Sequence, residues 1–212
     1  MTLLVVTAVA AEAAAVSAGL TDHDAVVVTP VGAGPAAAAA GAARIIALAE
    51  AAGRPFAAVI SAGVAGGVPG HVEVGGTVLG IRSIAADLGA ESPDGFLPID
   101  DLGFGTAVET TDPKLRYALS DALPQAVHGD ILTLTTVTGT AATAARLTEA
   151  YPKAVAEAME GHGVAVAAAA AGLPFAEVRT ISNLIGPRDR DAWRIPAALA
   201  QLTRAAASFS AV

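Results

Sequence analysis

The chain has 212 residues, 54% of them apolar and 15% charged, and alanine makes up about a quarter of it. That composition supplies a core for one domain, read as residues 1–212, and excludes disorder, which needs low hydrophobicity and high charge. Twelve Lys and Arg against twenty Asp and Glu leave a net charge of −8, with five Phe, two Tyr and one Trp, which argues against a nucleic-acid partner that wants a basic groove and stacking platforms.

Residues 1–11 read MTLLVVTAVAA, without the basic start a secretory signal carries. Thr2–Ala8 is therefore read as a buried first strand. A helix is expected over Ala11–Ala18, a strand over Ala25–Val31, and a long helix over Pro35–Ala52, ended by Gly53. Strands follow at Ala57–Ser61 and Val78–Ala86. Leu88–Gly105 is irregular and rich in Gly, Pro and Asp, a candidate flap. Pro113–Leu123 reads as a helix with Asp112 at its N-cap, and Ile131–Val137 as a Thr-rich strand. Thr140–Ala150 is a helix, Ala154–Met159 short and extended, and Gly161–Gly172 an Ala-packed helix. Phe175–Ser182 is a strand and Asp191–Phe209 a last helix. Strands alternating with helices predict an α/β fold of parallel βαβ units with helices on both faces. The apolar run Val164–Leu173 is too short for a bilayer, which needs about 20 residues. No membrane partner and a cytoplasmic location are expected.

There is no cysteine, and His23, His71, His128 and His162 are scattered. Thiolate chemistry is excluded and no metal site is expected. In an open α/β sheet, ligands sit beyond the carboxyl ends of the strands, which directs attention to a few segments. Glu12 follows the first strand in an apolar setting. Partial desolvation would raise its pKa and suit a general base; the alternative is an acid favoured by the first turn of a helix. Gly32-Ala33-Gly34-Pro35-Ala36-Ala37 is a loose dinucleotide fingerprint, with Glu50 eighteen residues on, or simply a helix start. Ser61–Gly67 is a second Gly-rich turn, either a ligand cradle or a tight turn. Glu160 stands before an Ala-rich helix, where a charge needs a task or a partner. In Asn183–Arg190, Asn183 can donate and accept, and Arg188 and Arg190 can fork onto a carboxylate, unless Asp189 takes one of them.

Together and in this order, these segments resemble the purine nucleoside phosphorylase and hydrolase superfamily, on its 5'-methylthioadenosine/S-adenosylhomocysteine nucleosidase branch. The anchors are Glu12, Gly32-x-Gly34, Gly63-x-Ala65-Gly66-Gly67, Val74-Gly75, Tyr151-Pro152 with Ala158-Met159-Glu160, and Arg179-x-Ile181-Ser182-Asn183. The resemblance implies a nucleoside phosphorylase-like fold, three-layer αβα with a mixed central sheet in a single domain. Glu157–Gly161 and Ile181–Asn183 with Gly186–Arg190 resemble the futalosine hydrolases. That implies hydrolysis of futalosine to hypoxanthine and dehypoxanthine futalosine, a step of menaquinone synthesis, with no cofactor. By the same resemblance Glu12 takes a proton from the attacking water and Glu160 holds the ribose hydroxyls. Met159 lies on the sugar, Gly63 and Val64 border it, and Val137 and Thr138 pack on the purine. Because relatives complete this region with a neighbouring subunit, a homodimer or larger homo-oligomer is expected.

Two departures refine the expectation. Asn183 stands where adenine-cleaving relatives have Asp. Asn cannot deliver a proton to N7, but its NH₂ can donate to O6 or N7 of a 6-oxopurine. Val64 stands where phosphorylases have a hydroxyl or thiol, and residues 1–43 contain no arginine, so water is expected as nucleophile rather than phosphate. Futalosine's benzoate arm is expected to meet Arg188, Arg190 or Arg82, under the flap with Phe96 and Phe104. His162 stands where Phe is expected and receives no role. The other readings are a nucleoside phosphorylase, an adenine-type nucleosidase, a dinucleotide-dependent oxidoreductase built on Gly32-x-Gly34, and a non-catalytic nucleoside-binding module.

Overall fold

The computed structural model describes residues 2–211; Met1 and Val212, the ends of the expected domain, lie outside the described residues. Strand β1 (Thr2–Thr7) runs between β3 (Phe56–Gly67) and β2 (Val26–Pro30), which forms one edge of a large sheet. Its side chains alternate between two cores: Leu3 and Val5 face one, Leu4 and Val6 the other. A strand buried on both faces has to be apolar throughout, which accounts for the unbroken run Leu3–Val6. Helices α1 (Ala10–Gly19), α4 (Pro113–Ala122) and α7 (Ile195–Ala206) cover the first core, and α2 (Pro35–Ala51) and α6 (Gly161–Ala170) the second. The layers are therefore helix, sheet, helix. No helix among the described residues is long and apolar enough to cross a membrane.

The small side chains let the helices press close. A Cβ on Gly163 would lie 2.2 Å from the Pro35 carbonyl oxygen, and one on Gly19 would lie 1.9 Å from that of Thr203. Helix α4 starts as expected, with Asp112 accepting the Leu115 N–H at 2.9 Å and Pro113 in the first turn.

The sheet is mixed, as the resemblance implies, and not the all-parallel sheet that alternation alone suggests. Strand β10 (Phe175–Leu184) runs parallel to β3 but antiparallel to β4 (Thr77–Ala85). Strand β4 carries β8 (Val127–Thr133) in parallel and the short β7 (Val108–Thr110) in antiparallel. Strand β8 pairs in parallel with β9 (Ala154–Ala158), which returns antiparallel to the far end of β3 through Gly66 and Gly67. This closes part of the sheet on itself. Ser61–Gly67, expected to be a turn, is the continuation of β3. Its glycines serve the bend and the close approach of neighbours: a Cβ on Gly67 would lie 2.8 Å from Val72 and 2.9 Å from Ile181.

Other boundaries move. The Thr-rich strand ends at Thr133, so Thr135–Thr138 are loop, and α7 begins four residues later than expected, after a turn at Arg190–Ala192. The irregular stretch after β4 holds a hairpin, β5 (Gly89–Ser92) with β6 (Gly95–Pro98), and a single helical turn, α3 (Ile99–Leu102). Helix α5 (Ala141–Ala150) is capped by the Thr140 hydroxyl, which accepts the Thr143 N–H at 3.1 Å.

Candidate active site

Around Gly63 on β3 gather Arg179, its register partner on β10, with Glu12 just after β1 and Glu160 just after β9. Glu12, in the first turn of α1, is 3% exposed. It turns back over the end of β1 and accepts three backbone N–H groups: Ala8 at 2.9 Å and Val9 at 3.2 Å through Oε2, and Val64 at 2.9 Å through Oε1. Three donors and no acceptor suit an ionised carboxylate. Val64 thus contributes its backbone, where phosphorylase relatives would use a side chain. A Cβ on Gly63 would lie 2.6 Å from Glu12 Oε1 and 2.8 Å from Arg179 Nη1. Glycine is what allows the two groups to face the same point.

Glu160 caps α6 from the end of β9. Its Oε1 accepts the Gly34 N–H at 3.3 Å, and its Oε2 accepts the Met159 N–H and Arg179 Nη1, both at 3.3 Å. Arg179 Nη1 is thus bonded to Glu160, while Glu12 Oε1 and the same Nη1 both face the space above Gly63. The guanidinium is 1% exposed; its Nε donates to Glu177 Oε1 at 2.9 Å and its Nη2 to the Ser61 hydroxyl at 3.0 Å. Burial works against its charge, but Glu177, Glu160 and Glu12 keep it above its ordinary value. Burial pushes the Glu177 carboxyl up, and Arg179 pulls it back. Glu177 lies under the positive end of α6, where a Cβ on Gly161 would come within 2.2 Å of both its oxygens.

Arg179 and Glu177 are the functional residues that sequence reasoning passed over. Arg179 entered only as an anchor of the resemblance. The signal was there: in Phe175–Ser182 a Glu and an Arg, two apart on one strand face, interrupt an apolar run, and such charges are buried only when paired. Arg179 also amends the argument about phosphate. A cation does stand at Gly63, but Glu12, Glu160 and Glu177 surround it, and a phosphate would meet a net negative site. The dinucleotide reading fails at the same place. The Gly34 N–H at the start of α2 already serves the Glu160 carboxylate, where a pyrophosphate would be repelled.

Asn183 lies four residues beyond Arg179 on β10. Its Oδ1 accepts from the Ser182 hydroxyl at 2.8 Å, and its Nδ2 donates to the Leu184 carbonyl at 3.0 Å. One Nδ2 hydrogen remains. It lines a small pocket with Gly66, Val137, Thr138, Glu157, Arg188 and Trp193. Thr138 is pinned by Glu157, with its N–H on Oε1 at 2.7 Å and its hydroxyl on Oε2. Arg188 and Arg190 both stand over the Trp193 ring, at 5.6 Å and 5.8 Å from its centre, and only Arg188 borders the pocket. Arg82 is not part of it. Both its Nε and Nη2 are engaged by Asp130. A larger groove of about 1060 Å³ adjoins through Val137 and Thr138, and is walled by Phe96 of the hairpin, Asp87, Glu91, Arg146 and Tyr151. A shallower cleft between Glu109–Pro113 and Leu173–Phe175 lies at the amino end of β10, away from these residues. His162 is buried, donates its backbone N–H to the Thr133 hydroxyl at 2.9 Å, and its ring Nε2 has no hydrogen-bond partner among the described residues.

The site thus sets two acids and an arginine about one glycine in an αβα fold. Residues 7–212 match the family model of the Phosphorylase superfamily. The chain is 51% identical, over 181 residues, to the futalosine hydrolase of Streptomyces coelicolor, covering 85% of this chain and 77% of that one. Its fold matches the 5'-methylthioadenosine/S-adenosylhomocysteine nucleosidase of Neisseria meningitidis with a TM-score of 0.82 at 21% identity, covering 99% of this chain and 98% of that one. The futalosine hydrolase of Helicobacter pylori matches at 0.79 and 17%, over 99% and 95%. This chain belongs to the phosphorylase superfamily and, within it, to the futalosine hydrolase family.

Proposed function

We propose that this protein hydrolyses the N-glycosidic bond of futalosine, releasing hypoxanthine and dehypoxanthine futalosine as a cytoplasmic step of menaquinone synthesis. The observation that carries this reading is that Glu12 Oε1 and Arg179 Nη1 face one point above Gly63, with Glu160 bonded to that same Nη1. Glu12 takes a proton from water as its oxygen attacks C1' of the ribose, and such a base contributes on the order of 10²–10⁴ in rate. As the C1'–N9 bond breaks, its electron pair leaves with the purine and positive charge builds on the sugar, as in O-glycoside cleavage. Glu160 accepts the ribose hydroxyls and stabilises that charge. Met159 covers the sugar beside Gly63 and Val64. Arg179 holds Glu160 through Nη1 and faces the same space as Glu12.

The purine lies along Val137 and Thr138, with the spare Asn183 Nδ2 hydrogen donated to O6. A 6-amino purine would put donor against donor there, so hypoxanthine is preferred over adenine by about 2–3 kcal/mol. Arg188, flat over Trp193 at the mouth of the pocket, takes the benzoate carboxylate, with Arg190 behind it. Phe96, Leu97 and Phe104 are exposed, Phe104 by 84%, which supports this segment as the contact of a homodimer or larger assembly.

The test is to incubate the protein with futalosine, with and without phosphate. Hypoxanthine release independent of phosphate is expected. Release that requires phosphate and yields a sugar 1-phosphate would contradict the proposal, and light scattering checks the assembly.

A further inference from the structure

Glu157 takes no part in the chemistry above, yet it is 4% exposed and opens onto the same small pocket as Asn183. The sheet sets the two side chains facing one another. Glu157 on β9 and Asn183 on β10 are both paired with Gly66 on β3, one from each side. Residues directly opposite one another share a face, and two strand spacings separate the outer pair by roughly 10 Å. Between them Gly66 contributes no side chain. A Cβ there would point toward Asn183 Nδ2 at 3.6 Å and would lie 2.8 Å from Ile185. The middle of this row is a slot floored by backbone, with an amide on one side and a carboxylate on the other.

The geometry points to Glu157 as the group that reads N1 of the base, accepting the N1–H of a 6-oxopurine while Asn183 donates to its O6. A 6-oxopurine presents an acceptor and a donor side by side on this edge. A 6-aminopurine reverses both, and would set an unprotonated N1 against the carboxylate. Thr138 donates to both Glu157 oxygens, which fixes the carboxylate and leaves a lone pair on each oxygen for a ligand. Burial pushes this carboxyl above its usual range, and the Thr138 bonds pull it back; a further N–H donor from the base would offset that desolvation.

This assignment rests on the proposed function for the identity of the base, and free bases test it separately from turnover. Binding of hypoxanthine and of 1-methylhypoxanthine, which lacks the N1–H, is measured by calorimetry on the whole protein and on its Glu157→Gln variant. Gln keeps an acceptor for the Thr138 N–H and a donor for its hydroxyl, so the loop stays anchored. Wild-type protein is expected to favour hypoxanthine over the methylated base at least about tenfold, and Glu157→Gln to lose most of that ratio. In turnover the variant's kcat/KM ratio for futalosine over its 6-amino analogue falls by a similar factor. Equal wild-type affinity for the two bases, or a ratio untouched in Glu157→Gln, overturns the assignment; an equal drop for both nucleosides reduces Glu157 to an anchor for Thr138. A protein that discriminates the bases through Glu157 but releases nothing from futalosine would refute the proposed function and keep this inference.

Discussion

The two halves of the site are built differently. At the inner half, Glu12, Glu160, Arg179 and Glu177 are buried; Arg179 holds Glu160 and Glu177 through charge-assisted bonds, and backbone N–H groups hold Glu12. At the outer half, Asn183, Thr138, Arg188 and Trp193 border a pocket with few mutual contacts, and the arginines lie on an aromatic face in solvent. On the proposed function, the inner half acts on the sugar, chemistry common to any nucleoside that must be held rigid. On the same proposal the outer half chooses the nucleoside, which needs only a few polar atoms placed against the wrong edge.

If this division is right, substitutions should sort by half. The largest effect is expected for Arg179→Met. It leaves Glu177 and Glu160 as uncompensated buried charges and should cost about 3–5 kcal/mol of stability in denaturant titration, together with all activity. An Arg179→Met protein as stable as wild type would show the inner half to be looser than described. Next comes Asn183→Asp, which exchanges a donor for a carboxyl able to protonate N7 and accept from a 6-amino group. The kcat/KM ratio of futalosine to its 6-amino analogue should move toward the amino substrate by about 2–3 kcal/mol, with the Tm nearly unchanged. A large fall in Tm would place Asn183 with the inner half instead.

Arg188→Ala should raise KM for futalosine about tenfold, roughly 1.4 kcal/mol, and leave inosine, which lacks the arm, unaffected. Arg190→Ala is its comparison and should do less. The smallest effect belongs to neither half. Burial, the leading influence, holds the His162 imidazole below its ordinary 6.5, with Glu109 and Asp100 opposing. The folded protein then binds fewer protons there than the unfolded chain. Stability is present above that ordinary value and is lost as pH falls below it toward the folded pKa. His162→Phe should flatten the fall in Tm between pH 7.5 and pH 5, and an unaltered slope would remove the imidazole from the explanation.

The sequence exposed the layers of the fold more readily than its closure. Alternating apolar and Ala-rich segments foretell β1, α2, α6 and the two-faced sheet, because each must bury a side against a neighbour. The mixed sheet is hidden because Gly63–Gly67 carry the marks of a turn while extending β3; only pairing with β9, ninety residues away, reveals the bend. Glu12 and Glu160 stood out as lone acids in apolar surroundings. Arg179 was marked only by Glu177 two residues before it, since its other partners, Glu160 and Ser61, come from distant segments of chain. Glu157 was hidden for a similar reason: its pocket depends on Gly66 and Asn183 lying to either side in one sheet register.

The central claim is that Glu12 and Glu160 act on one sugar. Hypoxanthine release from futalosine under single-turnover conditions, measured for Glu12→Ala and Glu160→Ala with circular dichroism as the check on folding, tests it most directly. Each variant is predicted to lose at least about 10²-fold in rate with its fold retained. A folded double variant within a few-fold of wild type would contradict the account.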